Sequence, residues 1–253
     1  MSKRFLAISA LFVVLAASLL QAQDKPDETP RVLMCVPLGV IAGETTKVTA
    51  RGLRLEGATE VKASDARATA KMTSQGKTAV PQNQNVLKVG DNQVEFELIV
   101  PADFPAGNLE IIVVTPKGEA KYALPIGADL PVALEKESNP GFKQSQAIQL
   151  PQLVIGRIEH AGDVDVYSLD LQAGQKVLCE VHAERLGSGL DAVLTIYDAA
   201  GRIVATHDDL PDSRDARLEF TAAVGGKFFV VVQDANDQGG PAHPYRLSVR
   251  SGL

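Results

Sequence analysis

The 253-residue chain predicts an all-β protein built as two tandem β-sandwiches. Three observations carry this expectation. Apolar and polar residues alternate in many short runs, the pattern of half-buried strands. Clusters of Gly, Pro and Asp separate these runs at short, regular spacing. Aromatics make up only 5% of the residues and Trp is absent, so the cores must be built from Val, Leu, Ile and Ala, a composition that suits pleated surfaces. The hydrophobic fraction of 45% is enough for real cores, and the length suits two ordinary domains.

Residues 1–22 read as a secretory signal peptide. Lys3 and Arg4 form a basic head, Phe5 to Leu20 is almost wholly apolar, and cleavage is expected after Ala22. An uncleaved anchor is the alternative, but the run is shorter than the roughly 20 residues a spanning helix wants. No later run is long and apolar enough to span a membrane. The expected location is therefore secreted: periplasm, cell surface or extracellular space. Removing Lys3 and Arg4 takes the formal charge from −6 to −8. An acidic chain argues against nucleic acid as a partner.

Residues 23–30 are polar with two prolines and read as a flexible leader. Residues 31–126 contain some seven short strands. Arg31 opens the first, Thr45–Ala50 forms a second, and Thr59–Lys62 a third. Lys62 to Lys88 has little periodicity and is expected to hold short strands and a loose loop. Val94, Phe96, Leu98 and Val100 then alternate with polar positions. The strand L-E-I-I-V-V-T is apolar on both faces and so central, and Ala120 to Ile126 closes the unit. Residues 127–146, with Pro131 and the break Asn139-Pro140-Gly141, read as a linker. Residues 147–253 hold eight strand candidates and no helical periodicity, a second and jelly-roll-like sandwich. Within it, Asp163, Asp165, Tyr167, Leu169 and Leu171 share one face of a strand, with Val166, Ser168 and Asp170 on the other.

Two cysteines in different sandwiches make a poor staple. Cys179 lies in phase with Val177 and Val181 and is expected as a buried free thiol. Charged residues separate Cys35 from the apolar segment, which excludes a lipid-anchoring role.

The first unit resembles the immunoglobulin-like IPT/TIG family. The resemblance rests on P-R-V-L-M-C-V-P-L-G-V-I-A-G-E-T-T-K-V-T-A-R-G-L, G-A-T-E-V, V-P-A-D-F-P-A-G and V-V-T-P-K-G-E-A, and it implies an Ig-like sandwich serving as spacer or contact surface. The second unit resembles the bacterial pre-peptidase C-terminal domain family through G-D-V-D-V-Y-S-L-D-L-Q-A-G-Q-K-V-L-C-E-V, L-D-A-V-L-T-I-Y-D-A-A-G, D-A-R-L-E-F-T-A, G-G-K-F-F-V-V-V-Q-D-A and P-Y-R-L-S-V. This second resemblance covers roughly residues 134–249. It implies an accessory module of exported proteins, sometimes stabilised by calcium.

That resemblance also points to a candidate metal site. The family's linker motif, Glu-x-Glu-Pro-Asn followed by Asn or Asp, is matched by Glu135, Glu137 and Asn139, with Ser138 in place of its proline and Pro140 where a further oxygen ligand would sit. Asp163 and Asp165 match at the strand. Such oxygen donors suit Ca2+, which takes six to eight oxygen ligands. The competing reading makes Asp163 a turn former, has Asp165 bond local amides and leaves the glutamates solvated. A second acidic cluster, His207-Asp208-Asp209 with Asp212 and Asp215, lacks EF-hand spacing. Asp191 and Asp198 read as turn formers.

No catalytic residues are assigned. His160, His182, His207 and His243 lack zinc spacing, no G-x-S-x-G elbow occurs, and neither cysteine sits in a catalytic signature. The chain is thus expected to be a secreted, non-catalytic accessory or binding protein. Its second domain would contact a surface, polymer or protein. The rival is a peptidase or glycosidase, or a hydrolase subunit, whose site has no motif.

Overall fold

In a computed structural model of the chain, residues 27–127 and 130–252 are described. The expected signal segment over residues 1–22, with its cleavage after Ala22, lies outside them, as do residues 23–26 of the leader. Among the described residues no helix is long and apolar enough to cross a membrane.

The first sandwich runs β1 (Arg31–Val36), β2 (Thr45–Leu53), β3 (Glu60–Ala63), β4 (Thr69–Lys77), the one-turn helix α1 (Val86–Val89), β5 (Asn92–Ile99), β6 (Gly107–Thr115) and β7 (Gly118–Ile126). The strands form two antiparallel sheets, β1-β2-β5-β4 and β3-β6-β7. The alternating residues Val94, Phe96 and Leu98 pack against Ile111, Val113 and Leu124 of the facing sheet. The doubly apolar strand β6 is central in its sheet, as its sequence requires. The stretch 62–88 is better ordered than its sequence suggests. β4 is a nine-residue edge strand, and its outer half is exposed, so no core imposes alternation on it. A bulge between Met72 and Ser74 breaks its phase further.

The second sandwich comprises β8 (Val132–Leu134), β9 (Gln146–Ala147), β10 (Gln152–Arg157), β11 (Val164–Leu171), β12 (Lys176–His182), β13 (Ala192–Asp198), β14 (Ile203–His207), β15 (Arg217–Thr221), β16 (Gly226–Asp234) and β17 (Pro244–Ser251). Its two five-stranded sheets have the orders β15-β12-β17-β10-β8 and β14-β13-β16-β11-β9. Between them lie Tyr167, Leu169, Val177, Cys179, Leu194, Val230, Tyr245 and Leu247. Cys35 and Cys179 are free and buried in separate cores.

The expected linker is a correction. β8 pairs in parallel with β10, and β9 in parallel with β11. Residues 132–147 therefore strap one sheet of the second sandwich to the other. On the other face of β11, Val166 and Ser168 are buried and Asp170 is exposed. Val166 packs with Phe229 and Val231, and Phe142 from the strap stacks on Phe229 with centroids 4.4 Å apart.

The sandwiches are docked. Met34, Leu38 and Val89 pack against Ala242 and Leu186. The Gln84 side-chain amide donates to the Gly189 carbonyl at 3.0 Å, and the Tyr122 hydroxyl donates to the Leu186 carbonyl at 3.1 Å. Gly187 has φ +86°, and a Cβ there would sit 2.1 Å from the Leu33 carbonyl oxygen, so only glycine allows this approach. Arg51 is fully buried and donates to Thr78, Ala79, Val89 and Gly90. It thereby fixes the segment that carries Gln84 and Val89 to the second sandwich.

Candidate metal centre

The strap starts at the site. β8 hands Glu135 to β10, where the Glu135 amide donates to the Ile155 carbonyl at 3.0 Å. The Glu135 carboxylate then turns inward. Its Oε2 accepts the Arg157 amide at 2.8 Å, and its Oε1 accepts the hydroxyls of Tyr167 at 2.7 Å and Tyr245 at 2.8 Å. Across the core, β11 presents Asp165, whose Oδ2 lies 2.6 Å from the Tyr245 hydroxyl. Gly156 makes this convergence possible. A Cβ there would lie 2.7 Å from the Tyr245 ring carbon and hydroxyl, and 3.0 Å from the Glu135 carboxylate carbon.

Glu135, Glu137 and Asp165 each offer a carboxylate oxygen, and these oxygens lie within 4.8 Å of one another. Asn139 is fully buried. Its side-chain amide nitrogen reaches Glu135 Oε1 at 3.5 Å, and its backbone carbonyl accepts the Val166 amide at 3.1 Å. Asn139 Oδ1 and Asp165 Oδ1 are both buried without a hydrogen-bond partner. A native core rarely leaves such oxygens unmatched.

Asp163 does not join this group. Its two oxygens accept the backbone amides of Glu159 at 2.6 Å and Val164 at 3.0 Å. It caps the turn into β11, as the turn-former reading has it. The structure thus brings together Glu135, Glu137, Asp165 and Asn139, and sets Asp163 beside them as a local brace.

Electrostatics follow from this packing. Burial, and then the neighbouring Glu135, push the Asp165 carboxyl up to about 10. Burial, and then Glu135 and Asp163, raise Glu137. Tyr167 is also raised, first by burial and then by Glu135 and Asp165, and Tyr245 is raised first by burial, then by Tyr167 and then by the same acids. Burial alone gives shifts of this sign, and the neighbouring acids add to them. The donors are all oxygens, which suit a hard cation such as Ca2+ rather than a thiophilic metal. The two unmatched buried oxygens and the close approach of three carboxylates both fit that group.

Asp165 and Asn139 are buried, Glu135 is half-buried and Glu137 is exposed at the surface. The cavities open to solvent are lined by other side chains.

The other sequence candidates are structural. Asp198 Oδ1 accepts the Ala200 and Arg202 amides at 2.9 and 3.0 Å, closing the β13–β14 turn. Asp191 accepts from Asn236 at 3.2 Å and pairs with Arg214 at 3.6 Å. Asp215 is fully buried and accepts the Ala183 and Glu184 amides at 2.9 and 2.7 Å and Arg185 Nε at 2.6 Å. It ends β12 and starts the turn at Glu184–Leu186. The histidines stand apart: His160 is beside Asp163, His182 is beside Glu180, and His243 is buried in the second sandwich with both ring nitrogens unpartnered.

The tyrosine hydroxyls and Gly156 are functional residues that the sequence reading missed. The sequence places Tyr167 only on one face of a strand and Tyr245 only within the P-Y-R-L-S-V segment. The available signal was chemical: a buried tyrosine needs a partner for its hydroxyl.

No protein-family model matches the chain. A probable subtilase-type serine protease of Deinococcus radiodurans is 33% identical over 75 residues, which are 29% of this chain and 10% of that protein. The chain thus spans a small fraction of that relative's length. Solved structures similar to the chain include the pre-peptidase C-terminal domain of a collagenase from Bacillus anthracis, at 16% identity and a TM-score of 0.36, covering 46% of this chain and 100% of that one. They also include SGBP-B from a complex xyloglucan utilization locus in Bacteroides uniformis, at 13% identity and a TM-score of 0.26, covering 88% of this chain and 73% of that one.

Proposed function

We propose that this protein is an exported, non-catalytic accessory or binding module whose strap is held by a calcium ion. The observation that carries the reading is the convergence of Glu135, Glu137 and Asp165 within 4.8 Å, with Asn139 beside them. Calcium at this point would neutralise the carboxylates and join β8, the strap and β11. Glu135, Glu137, Asn139 and Asp165 would supply its side-chain oxygens, and Asp163 would hold the turn.

The surface that contacts a partner is the outer face of the sheet that the strap crosses. Phe142 stacks on Phe229 and tilts against Tyr197 at 5.2 Å. Ile203 and Val204 stand exposed on the neighbouring strand. An apolar patch on a sheet face suits an extracellular polymer or protein. The 75-residue likeness to a tenth of a protease fits a module that accompanies an enzyme.

A melting experiment tests the reading. A ligand bound only by the folded state stabilises it by about 2.7 kcal/mol at a hundredfold excess over Kd. Calcium should raise the melting temperature of the chelator-treated protein, and magnesium should do so less, because it demands tighter octahedral geometry. Equal melting temperatures in chelator and in millimolar calcium would remove the proposal.

A further inference from the structure

The two sandwiches enclose an open cleft of about 570 Å³. One wall comes from the first sandwich, with Ala106, Gly107, Asn108, Pro125 and Gly127. The other is the outer face of the sheet β15-β12-β17-β10-β8. Alternation along β17 places Arg246, Ser248 and Arg250 together on that face, and the register sets His182 opposite Arg246. The charged and titratable side chains lining the cleft are therefore Arg246, Arg250 and His182, in a chain whose formal net charge is −6. Glu180 lies on the same face opposite Ser248, but its carboxylate is engaged by Arg185 at 2.9 Å and His182 at 3.4 Å.

Arg246 is the unusual member. It is half-buried, and burial pulls its pKa down. Among the described residues it has no carboxylate partner, and its hydrogen bond to the Gly127 carbonyl is long, at 3.4 Å. A guanidinium carries five N–H donors in a planar fork that matches oxyanions. Most of that fork is left for a ligand.

We infer that this cleft binds an oxyanion, a sulfate or carboxylate group, with Arg246 as its main contact and Arg250, His182 and Ser248 around it. The volume falls within the roughly 300–1,000 Å³ of small-ligand sites. The oxyanion is either a free ion or a substituent on an acidic polysaccharide. The inference uses none of the residues of the cation site and stands or falls apart from it.

Calorimetric titration of the full chain at low salt, in saturating calcium, tests this with sodium sulfate, dextran sulfate and neutral dextran as probes. Dextran sulfate should bind and dextran should not. Competition by sodium sulfate marks the free ion as sufficient, and its failure to compete marks the polymer as the ligand. Losing one charged hydrogen-bonding partner corresponds to a drop of about tenfold or more in affinity, expected for Arg246→Gln. Asn108→Glu, which puts a negative charge on the opposite wall, should have a similar effect without touching the second sandwich. Arg202→Gln, on a turn of the other sheet, should leave binding unchanged. If neither sulfate probe binds, or if Arg246→Gln and Asn108→Glu both bind like the parent, the inference is overturned. Should Arg246→Gln fail to fold, Asn108→Glu decides alone.

Discussion

Asp165→Asn should make the chelator-treated protein more stable and should deprive calcium of its effect. The Asp165 carboxyl is held up to about 10 by burial and by Glu135, far above its value in an unfolded chain. In the cation-free state the folded protein must therefore keep a proton there that the unfolded chain gives up. For a group raised on folding, the favourable contribution is complete below the unfolded value near 4 and is lost as pH rises toward the folded one. At pH 7 this costs on the order of 4 kcal/mol relative to acid. Asparagine keeps the shape and carries no charge, so part of that cost disappears; a gain of about 1–3 kcal/mol is expected. The same change removes a carboxylate from the cation site, and the calcium-induced shift should vanish. Urea unfolding at pH 7 in chelator and in calcium reads both effects. A variant that is less stable in chelator yet still gains from calcium would show that Asp165 is not a ligand.

The second large effect is expected at Asp215. Its carboxylate is fully buried and accepts two backbone amides and Arg185 Nε. Alanine leaves those donors without their acceptor, the Ala183 amide in the buried core and the Glu184 amide and Arg185 at its partly buried edge. Removing one partner from such a buried set costs about 3–5 kcal/mol, a large part of the roughly 5–15 kcal/mol that holds a domain folded. Because Asp215 is not part of the cation site, calcium should stabilise Asp215→Ala as much as the parent. Chemical denaturation with and without calcium separates the two statements. A loss under about 1 kcal/mol would place water at those amides in the folded protein.

Much of this architecture was legible as alternation. Val94, Phe96 and Leu98 announced β5, and Tyr167, Leu169 and Leu171 announced the buried face of β11, because a two-residue period leaves a mark wherever one face is buried. The failures share a physical cause. β8 and β9 are three and two residues long, too short to carry a period, and they are specified by parallel partners distant in sequence. β4 lies at an edge with little to bury. At the site, the resemblance brought Glu135, Glu137 and Asn139 forward and strand parity brought Asp165. Asp163 shares that parity, but its oxygens are taken by local amides, a use that depends on turn geometry rather than on residue type. Gly156 shows its reason only when Tyr245, 89 positions later, packs over it.

The central claim is that a divalent cation occupies the place where the strap meets β11. Calorimetric titration of calcium into chelator-stripped protein, repeated at pH 6 and pH 8 in buffers of different ionisation enthalpy, addresses it directly. The account predicts one calcium per chain and release of about one proton, with affinity rising up to tenfold per pH unit as Asp165 gives up its proton more readily. Absence of binding at millimolar calcium, or binding of equal affinity at both pH values with no proton released, would contradict it.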